Sequence, residues 1–430
     1  MSPVSQDIDA VNYFRDRQTI RDPYGYLEFL AAHRPVYREP HYGVYLVTGY
    51  EEAIAVYRDT ATFSSANLVN GPVLRFSADL AGGDDITEFV DRHRHELPLS
   101  DQIVTFDPPR HTDHRALLMG LITPKRLKEN EEFMWRLADR QLDVVLPHGT
   151  VEFIDAYAQP YTLLVIADLM GVPEEDHPYL LRQMGLDEVA LRGDARLKRL
   201  TKYHGLEAHY DYFVERITQR RISPSGDVLT GMAQATFPDG TVPDPVEVAR
   251  IAANMFAAGQ ETTVRLLGAT LQRIGDDPRL QAILRADRAL IPKFIEETLR
   301  IEGPIKGSFR LARKKTALGG VEIPAGSTVM LTNGAANRDA RQFEEPGEFR
   351  IGRQNVRRHI AFGHGVHTCP GAPLARSEVR VTIERLFDRT SDITISDEAH
   401  GPAGSRHWEY MPTYMFRGLS SLTLEFTRGS

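Results

Sequence analysis

Ala361-Phe-Gly-His-Gly-Val-His-Thr-Cys-Pro-Gly371 contains Cys369, the single cysteine of a 430-residue chain. A lone thiol excludes an internal disulfide and any multi-cysteine zinc or iron–sulfur site. One use left for it is as a single soft anionic ligand to a metal held elsewhere, and haem iron is such a metal; the bland reading is a buried structural cysteine. Thiolate ligation of haem favours O–O cleavage, because sulfur pushes electron density through the iron. The flanking residues suit that role. Gly363 and Gly365 allow the backbone to bend and to approach a flat ring. Phe362 can lie on a ring face, and His367 can donate to a carboxylate. Ala372, Leu374, Ala375 and Val379 follow with helical spacing, so a helix is expected to start near Pro370, with the sulfur at its N-terminus.

Working outward, the run Phe-Gly-x-Gly-x-His-x-Cys-x-Gly resembles the haem-binding loop of the cytochrome P-450 family. The pattern is specific, and further motifs of that family occur in order along nearly the whole chain. The expected fold class is mainly α with small β-sheets, with a long central helix over haem b, in a single domain over 1–430. The β-rich portions are expected near 36–48, 316–333 and 410–427, and the helical core over 110–300 and 370–390. Residues 36–48 read as two short strands around a turn at Gly43, and Tyr50–Arg58 as a helix. Residues 64–105, with five glycines and prolines between scattered apolar side chains, read as a long irregular segment.

Asp244-Pro245 is a strong helix start, and Asp277-Pro278 a stop. A helix between them is about 45 Å long. Its middle, Ala257-Ala-Gly-Gln-Glu-Thr-Thr263, is poor for an ordinary core helix. Gly259 costs about 1 kcal/mol relative to alanine, and Glu261 and Thr262 place a carboxyl and a hydroxyl at mid-span. The stretch resembles the family's Ala/Gly-Gly-x-Asp/Glu-Thr motif. The resemblance implies that Ala258 and Gly259 leave room for dioxygen and that Glu261 and Thr262 form an acid–alcohol pair relaying protons. The bland alternative is a surface glutamate beside ordinary helical threonines.

Other motifs add to the resemblance. Glu297 and Arg300 share a helix face and match the family's Glu-x-x-Arg, with Arg353 as the candidate third member of a buried triad. His111 and Arg115, four apart after Asp107-Pro-Pro, match His-x-x-x-Arg. With Arg310 and His367 they are the implied propionate donors. Pro370 departs from the commonest pattern: it has no N–H to offer the thiolate, which implies a more basic sulfur, unless it merely starts the helix.

By the same resemblance the substrate is a hydrophobic small molecule. Its contacts are expected from Leu68, Val69, Val73, Leu74 and Phe76, from Asn254 and Ala258, from Pro304–Ser308 including Lys306, and from Tyr410–Met415. The implied activity is a monooxygenase using O2. No flavin or nicotinamide motif is visible, so electrons are expected from a ferredoxin-type donor. Arg110, Arg115, Arg353, Arg357, Arg358, Arg376 and Arg380 are candidates for a basic patch that steers it, or are scattered solubilising residues. The net charge of −8 gives no sign of nucleic acid as a partner. The N-terminus lacks a signal pattern and no apolar run is long enough for a membrane anchor, so a bacterial, cytoplasmic protein is expected. The rival readings are a peroxide-driven peroxygenase, a non-catalytic haem or ligand-binding protein, and a cysteine-nucleophile hydrolase.

Overall fold

A computed structural model describes residues 8–78, 82–120, 122–183, 206–225 and 227–429. The chain divides into two compact units, each assembled from segments distant in sequence. The first comprises Met1–Thr112, Glu296–Cys369 and Met411–Arg417; the second comprises Asp113–Ile295, Pro370–Tyr410 and Gly418–Ser430.

The first unit is built on a five-stranded sheet in the order Val36–Arg38, Tyr45–Val47, Thr328–Leu331, Ser308–Ala312 and Phe63–Ser64. The Tyr45–Val47 and Thr328–Leu331 pair is parallel and the other three pairs are antiparallel. The expected hairpin at 36–48 is present, and Gly43 makes its turn with a φ of 71°, a conformation that L side chains rarely adopt. The helix Tyr50–Arg58 follows as expected. Its Ala53, Val56 and Tyr57 pack with Val47, Val329, Leu331 and Ile360 into one core cluster. On the other side, Tyr13, Phe14, Tyr26, Leu27 and Leu30 pack on Leu46, Phe309 and Met330. The segment 64–105 is less irregular than its composition implies. It carries the helix Thr87–His93, and Leu74 and Phe76 pack against a small cluster of Ile86, Val90, Leu97 and Leu311.

The second unit is helical, with one three-stranded antiparallel sheet in the order Thr150–Glu152, Thr423–Arg428, Thr390–Ile395. Its longest element is the helix Pro245–Asp276, with 32 residues. Asp244 caps it by accepting from the Val246 N–H at 2.8 Å, and Asp277 caps the next helix, Pro278–Ala286. Both boundaries are where cap chemistry places them. The glycines of the long helix face its neighbours. A Cβ at Gly259 would lie 3.3 Å from Ile166 Cδ1, one at Gly268 2.9 Å from Ile154 Cδ1, and one at Gly275 2.9 Å from Ile395 Cδ1. The lower helix propensity of these residues is therefore offset by close backbone approach. Among the described residues no helix is long and apolar enough to cross a membrane.

Candidate functional site

In the first unit, the loop around Cys369 closes on itself. The Cys369 N–H donates to the Phe362 carbonyl at 2.8 Å, and the thiol is half-buried. Gly363 and Gly365 both have φ of 70°. A Cβ at Gly365 would lie 2.8 Å from the Tyr57 carbonyl oxygen. The glycines are therefore needed for backbone handedness and for packing on the helix Tyr50–Arg58, a role additional to approaching a ring. The helix after the loop runs from Ala372 to Arg389 with Pro373 in its first turn. It starts two residues later than Pro370 suggested.

Three of the four implied propionate donors lie in this unit. The imidazoles of His111 and His367 are 3.9 Å apart, and His367 Nε2 is 3.0 Å from Ser65 Oγ. Ser65 is fixed by its N–H to Asp107 Oδ1 at 2.8 Å, while Ser64 Oγ donates to Oδ2 of the same carboxylate at 2.5 Å. Arg310 stands on the central strand Ser308–Ala312 and is 3% exposed. Its Nη1 donates to the Phe309 carbonyl at 2.7 Å, and its guanidinium is 5.5 Å from the Tyr57 ring centre. No carboxylate among the described residues forms an ion pair with it. Burial holds this guanidinium below its ordinary range, and Tyr57 and Asp107 pull the other way. A buried cation with no ion-paired carboxylate among the described residues is costly, and a propionate is a group that would balance it. The residues present fit haem on that observation.

The Glu297 triad is present in the same unit. Arg300 donates to Glu297 from Nε at 2.9 Å and from Nη2 at 2.7 Å, and Arg353 Nε donates to the same carboxylate at 3.1 Å. Burial pushes the Glu297 carboxyl up, but the hydrogen bonds from Arg300, Arg350 and Arg353 outweigh it and the net shift is downward. Arg300 also donates to the carbonyls of Asn337, Pro346 and Glu348, so it ties the helix Ile291–Glu302 to the loop leading to Cys369. Arg353 is consequently removed from the proposed basic patch. Arg357 and Arg358 are exposed.

Lys306 is corrected too. The sequence offered it as a contact for an acidic group or as a solvated lysine. It is 1% exposed, and its Nζ donates to the Ile20 carbonyl at 3.0 Å. Tyr414, expected in a ligand-lining turn, packs edge-on against Phe14 and Phe309.

In the second unit, the middle of the long helix has an unburied stripe of Asn254, Ala257, Ala258, Glu261 and Thr262, flanked by buried Ala253, Phe256, Gln260 and Thr263. Ala258 lies on this stripe. Gly259 is also incompletely buried, but a Cβ there would meet Ile166, so part of the room it leaves is used by helix packing. Thr262 Oγ1 donates to the Ala258 carbonyl at 2.8 Å, which loosens the helix there. The expected acid–alcohol pair is not a direct hydrogen bond. Residues i and i+1 do not face one another on a helix, and Glu261 instead pairs with Arg265. Sequence reading missed this arginine, although the four-residue spacing was available to it. Arg115 lies one turn after His111 on the helix Arg110–Met119. Arg380 is paired with Glu131 at 2.6 Å and Glu384 at 3.5 Å, so its charge is largely spent within the unit.

The thiol loop, the triad and the long helix define the class. The cytochrome P450 family model matches residues 228–391. Cytochrome P450 144 of Mycobacterium tuberculosis is 33% identical over 393 residues, covering 90% of this chain and 87% of that protein. The chain belongs to the cytochrome P450 family and is a P450 monooxygenase. Cytochrome P450 monooxygenase PikC of Streptomyces venezuelae is 31% identical over 415 residues, 95% of this chain and 92% of that one. Among solved structures, substrate-free CYP150A6 of Mycobacterium marinum matches with a TM-score of 0.92 and 48% identity, over 98% of this chain and 100% of that one.

Proposed function

We propose that this P450 inserts one atom of O2 into a hydrophobic small molecule, as a hydroxylase or an epoxidase, with electrons from a ferredoxin-type donor. Two electrons and two protons reduce the other oxygen atom to water. Relatives at 30% identity are named 6-deoxyerythronolide B hydroxylase and cyclomarin C epoxidase, which supports both outcomes for this chain. In this reading Cys369 would be the ligand to iron of haem b, Phe362 would lie against the ring, and His111, Arg115, Arg310 and His367 would hold the propionates. When bound, thiolate-ligated haem supplies the electron density that cleaves an O–O bond.

The chain's own residues then have separable tasks. Ala258, on the unburied stripe, keeps space for dioxygen. Glu261 takes a proton from water and returns it to the water chain, and the Thr262 hydroxyl, anchored on the Ala258 carbonyl, receives it from that water rather than from Glu261 directly and passes it on. The observation that carries the reading is the buried guanidinium of Arg310, with which no carboxylate among the described residues forms an ion pair. The test compares turnover of a binding hydrophobic compound with a ferredoxin–reductase system and with hydrogen peroxide alone. Electron- and O2-dependent product is expected. In Thr262→Ala the electrons should appear as released peroxide instead of product. Equal or better turnover with peroxide alone, or unchanged coupling in Thr262→Ala, would contradict the reading.

A further inference from the structure

The ion pair between Glu261 and Arg265 is asymmetric. Glu261 is 56% exposed, whereas Arg265 is 5% exposed and comes from the next turn of the same helix. Burial holds the Arg265 guanidinium below its ordinary range, and Glu261 is the group that draws it back. The stem of Arg265 is fixed from the other side. A Cβ placed on Gly418 would lie 2.6 Å from Arg265 Cγ, 2.9 Å from its Cβ and 3.0 Å from its Cδ. Contacts that close to the root of a side chain cannot be relieved by moving only its tip. Gly418 has no unusual backbone conformation among the positive-φ glycines, so its lack of a side chain is needed for space. It sits next to Leu419, which bridges to Tyr410, so the strand-like C-terminal segment holds it in place.

We infer that Arg265 is a positioning residue that fixes the Glu261 carboxylate for proton delivery, and that Gly418 makes the space in which Arg265 can do so. The inference rests on the proton-relay role of Glu261 proposed above. A carboxylate alone on an unburied stripe samples several rotamers. A charge-assisted bond to a buried, pre-set guanidinium confines it to one, and confinement of a proton donor is worth rate because misplacement by about 1 Å can cost on the order of 100-fold. Neither residue contacts the reacting atoms in this account; both act through Glu261.

The experiment uses haem-loaded protein with its electron donor and compares Glu261→Gln, Arg265→Met, Arg265→Lys, Gly418→Ala and the Glu261→Gln/Gly418→Ala double variant. Arg265→Met should lower product per electron on the order of tenfold, enlarge the solvent deuterium isotope effect, and leave the substrate-binding spectrum unchanged. Arg265→Lys should recover much of the coupling, since the charge is restored. Gly418→Ala should reproduce part of the Arg265→Met loss, and should add nothing when Glu261 is already glutamine.

A second readout needs no turnover. Thermal midpoints of Glu261→Gln, Arg265→Met and the double variant, measured with and without haem, should be non-additive, as expected for a pair in contact. Additive midpoints, or normal coupling in both Arg265→Met and Gly418→Ala while Glu261→Gln is uncoupled, would overturn the inference and leave the relay intact. Normal coupling in Glu261→Gln would overturn both.

Discussion

Lys306 offers a test of how the first unit is closed. Its amino group is buried under the N-terminal helix Arg17–Arg21, where it donates to the Ile20 carbonyl at 3.0 Å, and its own N–H donates to the Met415 carbonyl at 2.7 Å. The charges of Arg417 and Glu302 act on it; Arg417 Nε donates to Glu302 at 2.9 Å, and the Arg417 guanidinium is 5.1 Å from the Tyr24 ring centre. Burial first, and then the charge of Arg417, pushes the Lys306 ammonium down from 10.5 to about 7, with Glu302 opposing. Above pH 7 the folded protein therefore holds Lys306 neutral while the unfolded chain holds it charged. Unfolding takes up a proton in that window, so this residue's contribution to stability rises from pH 7 toward 10.5 and is constant below 7. Each pH unit in the window is worth about 1.4 kcal/mol. The perturbation is Lys306→Met, which keeps the stem, removes the titration and forfeits one hydrogen bond, at a pH-independent cost of about 1 kcal/mol. Between pH 7 and pH 9 the parent should gain about 2.3 kcal/mol on the variant, because the folded-state amine is still half protonated at pH 7. Urea denaturation followed by far-ultraviolet circular dichroism at pH 6, 7, 8 and 9 measures this, and other titrating groups cancel in the comparison. A parent–variant difference that is flat across that range would refute the buried, neutralised lysine.

Three further outcomes are expected. Arg310→Met removes the buried guanidinium assigned to a propionate, so haem transfer to apomyoglobin should quicken by about 10- to 100-fold, matching a charge-assisted hydrogen bond of about 1.5–3 kcal/mol. Glu297→Gln leaves Arg300 and Arg353 buried without their anion, and urea denaturation should show a loss of about 3–5 kcal/mol. Glu378 is buried with Oε2 lacking a hydrogen-bond partner among the described residues, and burial pushes its carboxyl well above the ordinary range. The folded form keeps the proton that the unfolded chain loses above about pH 4.5, so this residue's contribution falls as pH rises. Glu378→Gln should match the parent near pH 4 and exceed it by at least about 1 kcal/mol at pH 8 in the same assay.

The parts of this molecule that were legible in the sequence are those set by local chemistry. Asp244-Pro245 and Asp277-Pro278 mark helix ends because caps act within three residues. The hairpin at 36–48 is fixed by alternation and by one left-handed glycine. The thiol loop and the Glu297–Arg300 spacing are likewise contained in short windows, and Arg353 followed from the resemblance. What escaped depends on partners far along the chain. The strand Ser308–Ala312 is recognisable only through its pairing with Thr328–Leu331 and Phe63–Ser64. The burial of Lys306 follows from Ile20 and Met415, which lie on opposite ends of the sequence. Gly259 reads as an opening toward a ligand until Ile166 is placed against it. Arg265 had the right spacing to meet Glu261, but i,i+4 pairs are common on exposed helices and contribute little there. Its significance came from burial and from Gly418, and neither is a local property.

The central claim is that Cys369 is a thiolate ligand to haem iron. The direct measurement is the absorption difference spectrum of the reduced, carbon monoxide-treated holoprotein, taken alongside Cys369→Ser. The parent should show the red-shifted Soret band that gives the P450 family its name, and Cys369→Ser should lose it. A folded, haem-loaded parent that lacks the band, or a Cys369→Ser protein that retains it, would contradict the account.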